Sequence, residues 1–115
     1  MKKIHYLLTL LCFSHSLLSQ TPLGSPINGT GPTDYAGWSA TLSGDGQRLA
    51  VGAIGADSLG RVEVFEYDGN DWQALGLPIS GTLASQFGFR VVFAQKNANR
   101  LAVGSQSRWR SRRGF

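Results

Sequence analysis

Short apolar stretches alternate with glycine-rich polar turns along this chain, and none of the stretches after residue 19 has the apolar spacing of a helix. Arg48–Ala53 is almost continuously apolar, whereas in Arg61–Tyr67 valines and aromatic residues point to opposite sides. Apolar groups on both sides of a strand indicate a sheet that is covered on both faces. Together with the turn residues between the stretches, the pattern predicts antiparallel strands over residues 38–42, 48–53, 61–67 and 71–75.

The same segments return later in the chain at a fixed interval. Leu23–Gly29 recurs as Leu75–Gly81, and Arg48–Gly52 recurs as Arg100–Gly104, both after 52 residues. A period of this size is typical of repeat proteins, in which one unit buries its apolar faces only against its neighbours.

The second copy holds only part of the unit. Its predicted strands are 87–93 and 100–105, and the pattern of the third strand does not follow them. We therefore expect a first repeat over 20–74 and a partial second repeat over 75–107. The abrupt departure from the pattern after this point has an alternative explanation, a truncated or frameshifted gene whose product is non-functional.

The N-terminal residues 1–19 have the build of a secretory signal peptide. They combine a cationic start, an apolar stretch that is too short and too interrupted for a membrane span, and a small polar end. We expect a signal-peptide helix that directs a secreted, extracellular or cell-surface protein; an uncleaved N-terminal anchor is the alternative. Cys12, His5 and His15 all lie in this segment. Export would therefore leave a chain without thiolate nucleophiles, histidine triads or Cys/His zinc sites.

The net charge of +4 is concentrated at the two ends of the chain. Two lysines belong to the predicted signal, and four arginines lie in the basic tail 108–115, which we expect to be disordered. Residues 20–107 hold five basic and seven acidic side chains. A mildly acidic body argues against a nucleic-acid-binding surface.

Several motifs together resemble the FG-GAP repeat of the integrin α-subunit propeller: Ala36-Gly37-Trp38-Ser39, Leu42–Gly46, Leu49–Ala53, Gly60–Phe65 and the literal Phe87-Gly88 of the second copy. This resemblance implies an all-β fold with one antiparallel four-stranded β-propeller blade and a partial second blade. It also implies a non-enzymatic module for binding or adhesion, or a part of a larger surface protein. The calcium loop of such repeats is not matched, because the corresponding hairpin holds only Asp45. Calcium takes about six to eight oxygen ligands, so we expect no metal and no other cofactor.

Two residues are candidates for a ligand-facing loop: Asp57, between the second and third strands, and Trp38, at a strand end. Asp34 is expected to cap a turn. Glu63 and Glu66 are three residues apart on one predicted strand, so they point to opposite faces and cannot flank one bond as a glycosidase pair does. We therefore expect no catalytic residue.

The partner expected for such a module is a protein or a glycan. A propeller-based hydrolase or lyase that acts on polysaccharide is the enzymatic alternative. Because a closed propeller needs about four to eight blades, a chain with one and a half repeats is also expected to self-associate through unpaired blade faces.

Overall fold

The computed structural model describes residues 20–82, 85–94 and 99–107. The predicted signal peptide 1–19 and the predicted basic tail 108–115 lie outside the described residues. In the described part, seven strands follow one another along the chain: β1 (Ala36–Leu42), β2 (Arg48–Ala53), β3 (Arg61–Tyr67), β4 (Trp72–Ala74), β5 (Ile79–Ser80), β6 (Phe87–Ala94) and β7 (Arg100–Ser105). Across these residues, no helix is both long and apolar enough to cross a membrane.

The first sheet is an antiparallel meander in the order β1-β2-β3-β4. In its two hairpin turns, Gly46 and Gly69 have φ of 73° and 94°, angles that glycine adopts without steric cost. β5 pairs with the first two residues of β3, and β4 pairs with the last three residues on the same edge of β3. β4 and β5 thus share one edge of β3.

The second sheet, β6-β7, reproduces the first hairpin pair by pair. The shift is 51 residues on the first strand and 52 on the second, which places one extra residue in the second hairpin turn. Five cross-strand pairs correspond: Ala36↔Ala53 to Phe87↔Ser105, Ser39↔Gly52 to Arg90↔Gly104, Ala40↔Val51 to Val91↔Val103, Thr41↔Ala50 to Val92↔Ala102, and Leu42↔Leu49 to Phe93↔Leu101. The sequence repeat is therefore also a repeat of strand register.

Both hairpins begin with the same bulge. Gly37 and Gly88 have φ of 87° and 89° at equivalent positions, each preceded two residues earlier by a residue with φ near 50°. The N–H groups of Trp38 and Phe89 donate back across the bulge at 3.1 and 3.2 Å. Two extra residues on the bulged strand, the glycine and the aromatic residue after it, shift the register locally, and such irregularities re-aim side chains.

The second sheet packs face to face on the first, with β6 over β1 and β2. Ala50, Val62 and Val91 form the buried cluster between the two sheets. Besides a contact at Gly60, where an added Cβ would meet backbone atoms of Phe87, the backbones approach closely at Gly52, where an added Cβ would meet the carbonyl oxygen of Gly88. Ser39 Oγ donates a hydrogen bond to the same oxygen at 2.7 Å. Only residues without side chains permit backbones this close.

Apolar side chains also lie on the outward faces of the two sheets. Because side chains alternate along a strand, the face of the first sheet opposite Ala50 carries a continuous cross-strand row. This row consists of Leu42, Leu49, Phe65 and Ala74. Leu42 is 55% exposed, and Val92, on the outward face of the second sheet, is 57% exposed. Apolar surface is thus available on both sides of the stack.

The predicted antiparallel β fold is confirmed, and β2, β3 and β7 have the predicted bounds. β1 begins two residues earlier than predicted, because Ala36 pairs with Ala53 beyond the bulge. β4 is one residue shorter than predicted at each end. The loop between β2 and β3 contains a short 3-10 turn, Ala56–Ser58, in which Asp57 has φ of 51°. The repeated segment Leu75–Gly81 supplies β5 to the first sheet.

The contact between the two glycines yields a test of the stacking. Gly52→Ala should lower the free energy of unfolding by about 1–3 kcal/mol, because the new methyl group forces the sheets apart. Gly104→Ala is the matched control, since Gly104 holds the equivalent position on the second sheet and an added Cβ there meets nothing closer than 3.4 Å. Its effect in dilute solution should stay within about 0.5 kcal/mol. Urea unfolding followed by tryptophan fluorescence measures both; equal losses in the two variants would contradict the packing.

Candidate functional site

A buried aspartate organises the loop that leads into β1. The Asp34 carboxylate accepts hydrogen bonds from the backbone N–H groups of Ala36 at 3.1 Å, Thr30 at 2.6 Å and Gly31 at 3.2 Å. These hydrogen bonds lower the pKa of Asp34 below its ordinary value, and the one from Ala36 has the largest effect. Burial acts in the opposite direction. The expectation that Asp34 caps a turn is confirmed.

The carboxylates of the two hairpin turns are used in the same way. Asp45 accepts the Ser43 hydroxyl at 2.6 Å and the Gln47 N–H at 3.0 Å, and the Ser43 contact is the main reason that the pKa of Asp45 is lowered. Asp68 accepts the N–H groups of Asp71 and of the residue before it, at 2.7 and 2.8 Å, and these lower its pKa as well. Both are local turn contacts of the kind that aspartate favours.

Asp71 and Trp72 connect the N-terminal segment that precedes β1, at residues 23–25, to the β3–β4 turn. The Asp71 carboxylate accepts the N–H of Ser25 at 2.8 Å, which lowers the pKa of Asp71. The Trp72 indole N–H donates to the carbonyl oxygen of Leu23 at 3.0 Å, and its ring lies 5.2 Å from that of Tyr67. The aromatic pair and the indole hydrogen bond therefore place Trp72 in a structural contact.

Asp57, the first candidate from the sequence, lies in the exposed loop between β2 and β3. Its carboxylate is 3.7 Å from the Arg61 guanidinium, and Glu63 lies 3.3 Å from the same group. Arg61 also donates to the Thr30 hydroxyl at 3.0 Å. One guanidinium thus serves two carboxylates, and the exposed Asp57 partner adds little stability. The positive charge of Arg61 is thus compensated by the negative charges of Asp57 and Glu63. In a retaining or inverting glycosidase, by contrast, two carboxyl groups are directed at one glycosidic bond.

Trp38, the second candidate, lies directly after the bulge of β1 and is 54% exposed. Its ring packs on Phe89, the equivalent residue of the second sheet, with 5.9 Å between the ring centroids and 39° between the planes. The structure therefore gives the two candidates different surroundings. Asp57 belongs to an ion-pair cluster, whereas Trp38 belongs to an aromatic pair that bridges the two sheets.

An open groove runs along the aromatic pair. It has a volume of about 560 Å³ and is lined by the first halves of the neighbouring strands β1 and β6, residues Trp38–Ala40 and Phe89–Val92. Arg90, an exposed residue, is the one charged residue of this lining. The groove is lined in similar measure by apolar and polar groups, so its aromatic rings and polar groups can contact part of a ligand.

The sequence did not predict the contribution of Phe89 and Arg90 to this groove. Phe89 stands in the repeat at the position of Trp38, and that correspondence is the signal that was available. It could not show that the two rings touch, because the contact depends on how the second sheet lies on the first. In the described part of the chain, no three His, Cys, Asp or Glu side chains lie close enough together to hold a metal ion.

No protein-family model matches this chain, and comparisons with curated proteins and with solved structures find no match either.

The Asp34 contacts yield a pH prediction. A carboxylate with a lowered pKa in the folded state stabilises the fold above its ordinary value of 3.8, and this stabilisation is lost as the pH falls through the lower folded value. Asp34→Asn should therefore lower the urea midpoint at pH 7, and the gap from the wild type should shrink as the pH falls below 3.8. The matched control is Asp57→Asn, which removes an exposed carboxylate and should leave the midpoint almost unchanged. A gap for Asp34→Asn that is the same at pH 7 and pH 2.5 would contradict this assignment.

Proposed function

We propose that this chain is an exported, non-enzymatic binding module of β-propeller type, with one four-stranded blade and a partial second blade of FG-GAP-like character. The observation that carries the proposal is the pair of hairpins with equivalent registers and equivalent bulges, stacked face to face. Stacking of successive, equivalent sheets is the way a propeller is built. The motifs that resemble the FG-GAP repeat fall on these same strands, and the predicted signal peptide 1–19 supports an extracellular location.

The binding surface that we propose is the groove between β1 and β6. The Trp38 side chain is half-exposed and offers an aromatic face. The Phe89 ring packs against it, with 5.9 Å between the ring centroids. Aromatic rings bury a large apolar area with few rotatable bonds, so they are effective contact residues. The Arg90 guanidinium beside them has several N–H donors suited to a carboxylate. An apolar ring and a cation in one open groove fit a polysaccharide that carries carboxylate groups.

Catalysis is the rival of this proposal. Asp34, Asp45, Asp68 and Asp71 each accept hydrogen bonds that hold a turn or the N-terminal segment, and these contacts lower their pKa values. A general acid needs the opposite, a carboxyl group whose pKa is raised towards neutrality. The carboxylates described in these turns are therefore suited to hold loops in place.

The proposal predicts retention by an acidic glycan. In native gels that contain polygalacturonate, the wild-type protein should migrate more slowly, because its groove binds the polymer. Trp38→Ala should weaken binding by about tenfold, the effect of losing roughly 1.4 kcal/mol at a central contact residue. Arg90→Gln should weaken binding to polygalacturonate more than to a neutral β-glucan. Leu77→Ala is the control, since Leu77 is 90% exposed in the connection between β4 and β5.

Two outcomes would contradict the proposal. One is equal migration of the wild type and Trp38→Ala in every gel. The other is the appearance of new reducing ends or unsaturated sugar products in the polymer, in amounts that Asp57→Asn abolishes. That result would support a hydrolase or a lyase.

A further inference from the structure

The inward and outward faces of the two sheets are related by the repeat. The residues of the second sheet that face the first sheet are Val91, Phe93, Leu101 and Val103. Their counterparts in the first sheet are Ala40, Leu42, Leu49 and Val51, which lie on its outward face. The outward face of the first sheet therefore has the same kind of apolar surface that the second sheet buries.

The opposite pair of faces is related in the same way. The first sheet receives the second sheet on the face of Ser39, Thr41, Ala50 and Gly52. The counterparts of these residues are Arg90, Val92, Ala102 and Gly104, which lie exposed on the outward face of the second sheet. The stack is thus directional, with a face of each kind at its two ends that the described residues leave exposed.

The glycines that permit the close approach are duplicated as well. Gly88 packs on Gly52 between the sheets. Their counterparts are Gly37, around which an added Cβ would find open space, and Gly104, where it would meet nothing closer than 3.4 Å. Each outward face therefore carries one member of a second glycine pair, and no part of the described chain occupies that place beside Gly37.

We propose that two copies of this chain stack head to tail. The outward face of the first sheet of one copy packs on the outward face of the second sheet of the other, with Gly37 of the former against Gly104 of the latter. This contact repeats between molecules the packing that the chain already makes internally. On the outward face of the second sheet, Val92 stands at the repeat position of Thr41, and this difference makes that face more apolar. Arg90 stands where Ser39 stands, and its exposed side chain brings N–H donors in place of the hydroxyl.

A head-to-tail contact differs in symmetry from the common two-fold dimer. A two-fold contact would pair one outward face with itself, so that residues near the two-fold axis meet their own counterparts in the other copy. The contact proposed here brings Ala40 of one copy near Ala102 of the next, because Val91 and Ala50, their counterparts, belong to one buried cluster. The inference goes beyond the proposed function, since it requires neither the Trp38 indole nor a glycan. Ala40, Arg90 and Val92 belong both to the stacking faces and to the lining of the groove, so a stacked copy and a glycan would compete for this surface, and the test is made without glycan.

Cysteine cross-linking distinguishes these contacts. The full-length chain with Cys12→Ser is prepared with Ala40→Cys or with Ala102→Cys, both at exposed positions, and the two proteins carry tags of different mass. Under mild oxidation, the mixture should form disulfide-linked mixed dimers in clear excess over the dimers that either protein forms alone. Asn70→Cys, in the exposed β3–β4 turn, gives the level of random cross-linking.

Three results would overturn the inference. The first is a predominance of dimers in the Ala40→Cys sample alone, which indicates two-fold pairing. The second is cross-linking no greater than with Asn70→Cys, and the third is an absence of cross-links while both thiols remain reactive.

Leu42→Asp, on the outward face of the first sheet and outside the groove, should reduce the mixed dimers about tenfold. The same variant should keep its retention by polygalacturonate, so that failure of stacking and failure of the glycan proposal are distinguishable. Leu77→Asp is its matched control and should leave the yield of mixed dimers unchanged.

Discussion

The close approach of two backbones at Gly52 and Gly88 is the constraint on which the arrangement of the two sheets depends. At that point the carbonyl oxygen of Gly88 occupies the space that a side chain on Gly52 would need, and Ser39 donates a hydrogen bond to it. The apolar cluster of Ala50, Val62 and Val91 closes around this contact. Its members are small because the sheets are near each other. Glycine placement therefore determines which side chains the interior can hold.

The carboxylates of the first sheet act mainly on its turns. Asp34, Asp45 and Asp68 accept N–H or O–H groups within a few residues of themselves, and Asp71 accepts one from the N-terminal segment. Such contacts satisfy backbone donors that strand pairing leaves free. They also lower the pKa values of these four groups, and none of the four lines the groove between β1 and β6. The structure thus separates the groups that hold the fold from the surface proposed to bind.

The strands themselves could be predicted from the sequence, whereas their contacts could not. Arg48–Ala53 and Arg61–Tyr67 have continuous or two-sided apolar character, and the structure contains strands with these bounds. β5 has two residues, too few for an apolar period to appear, so its pairing with β3 carried no local signal. The groove depends on which residues two separate sheets bring together. A glycine inside a strand indicates close packing of the backbone, which the sequence predicts for Gly52 and Gly88. It does not show which backbone comes close, so the contact between these two glycines could not be predicted.

The central claim is that the second sheet lies on the inward face of the first through this glycine contact. Nuclear Overhauser effects in the isotope-labelled protein test it most directly, because they report protons that are close in space but far apart in the chain. The account predicts cross-peaks between the α-protons of Gly52 and Gly88 and between the methyl groups of Val91 and Ala50. Cross-peaks from Val91 to Leu49 or Val51 in place of Ala50, or two hairpins without any cross-peaks between them, would contradict it.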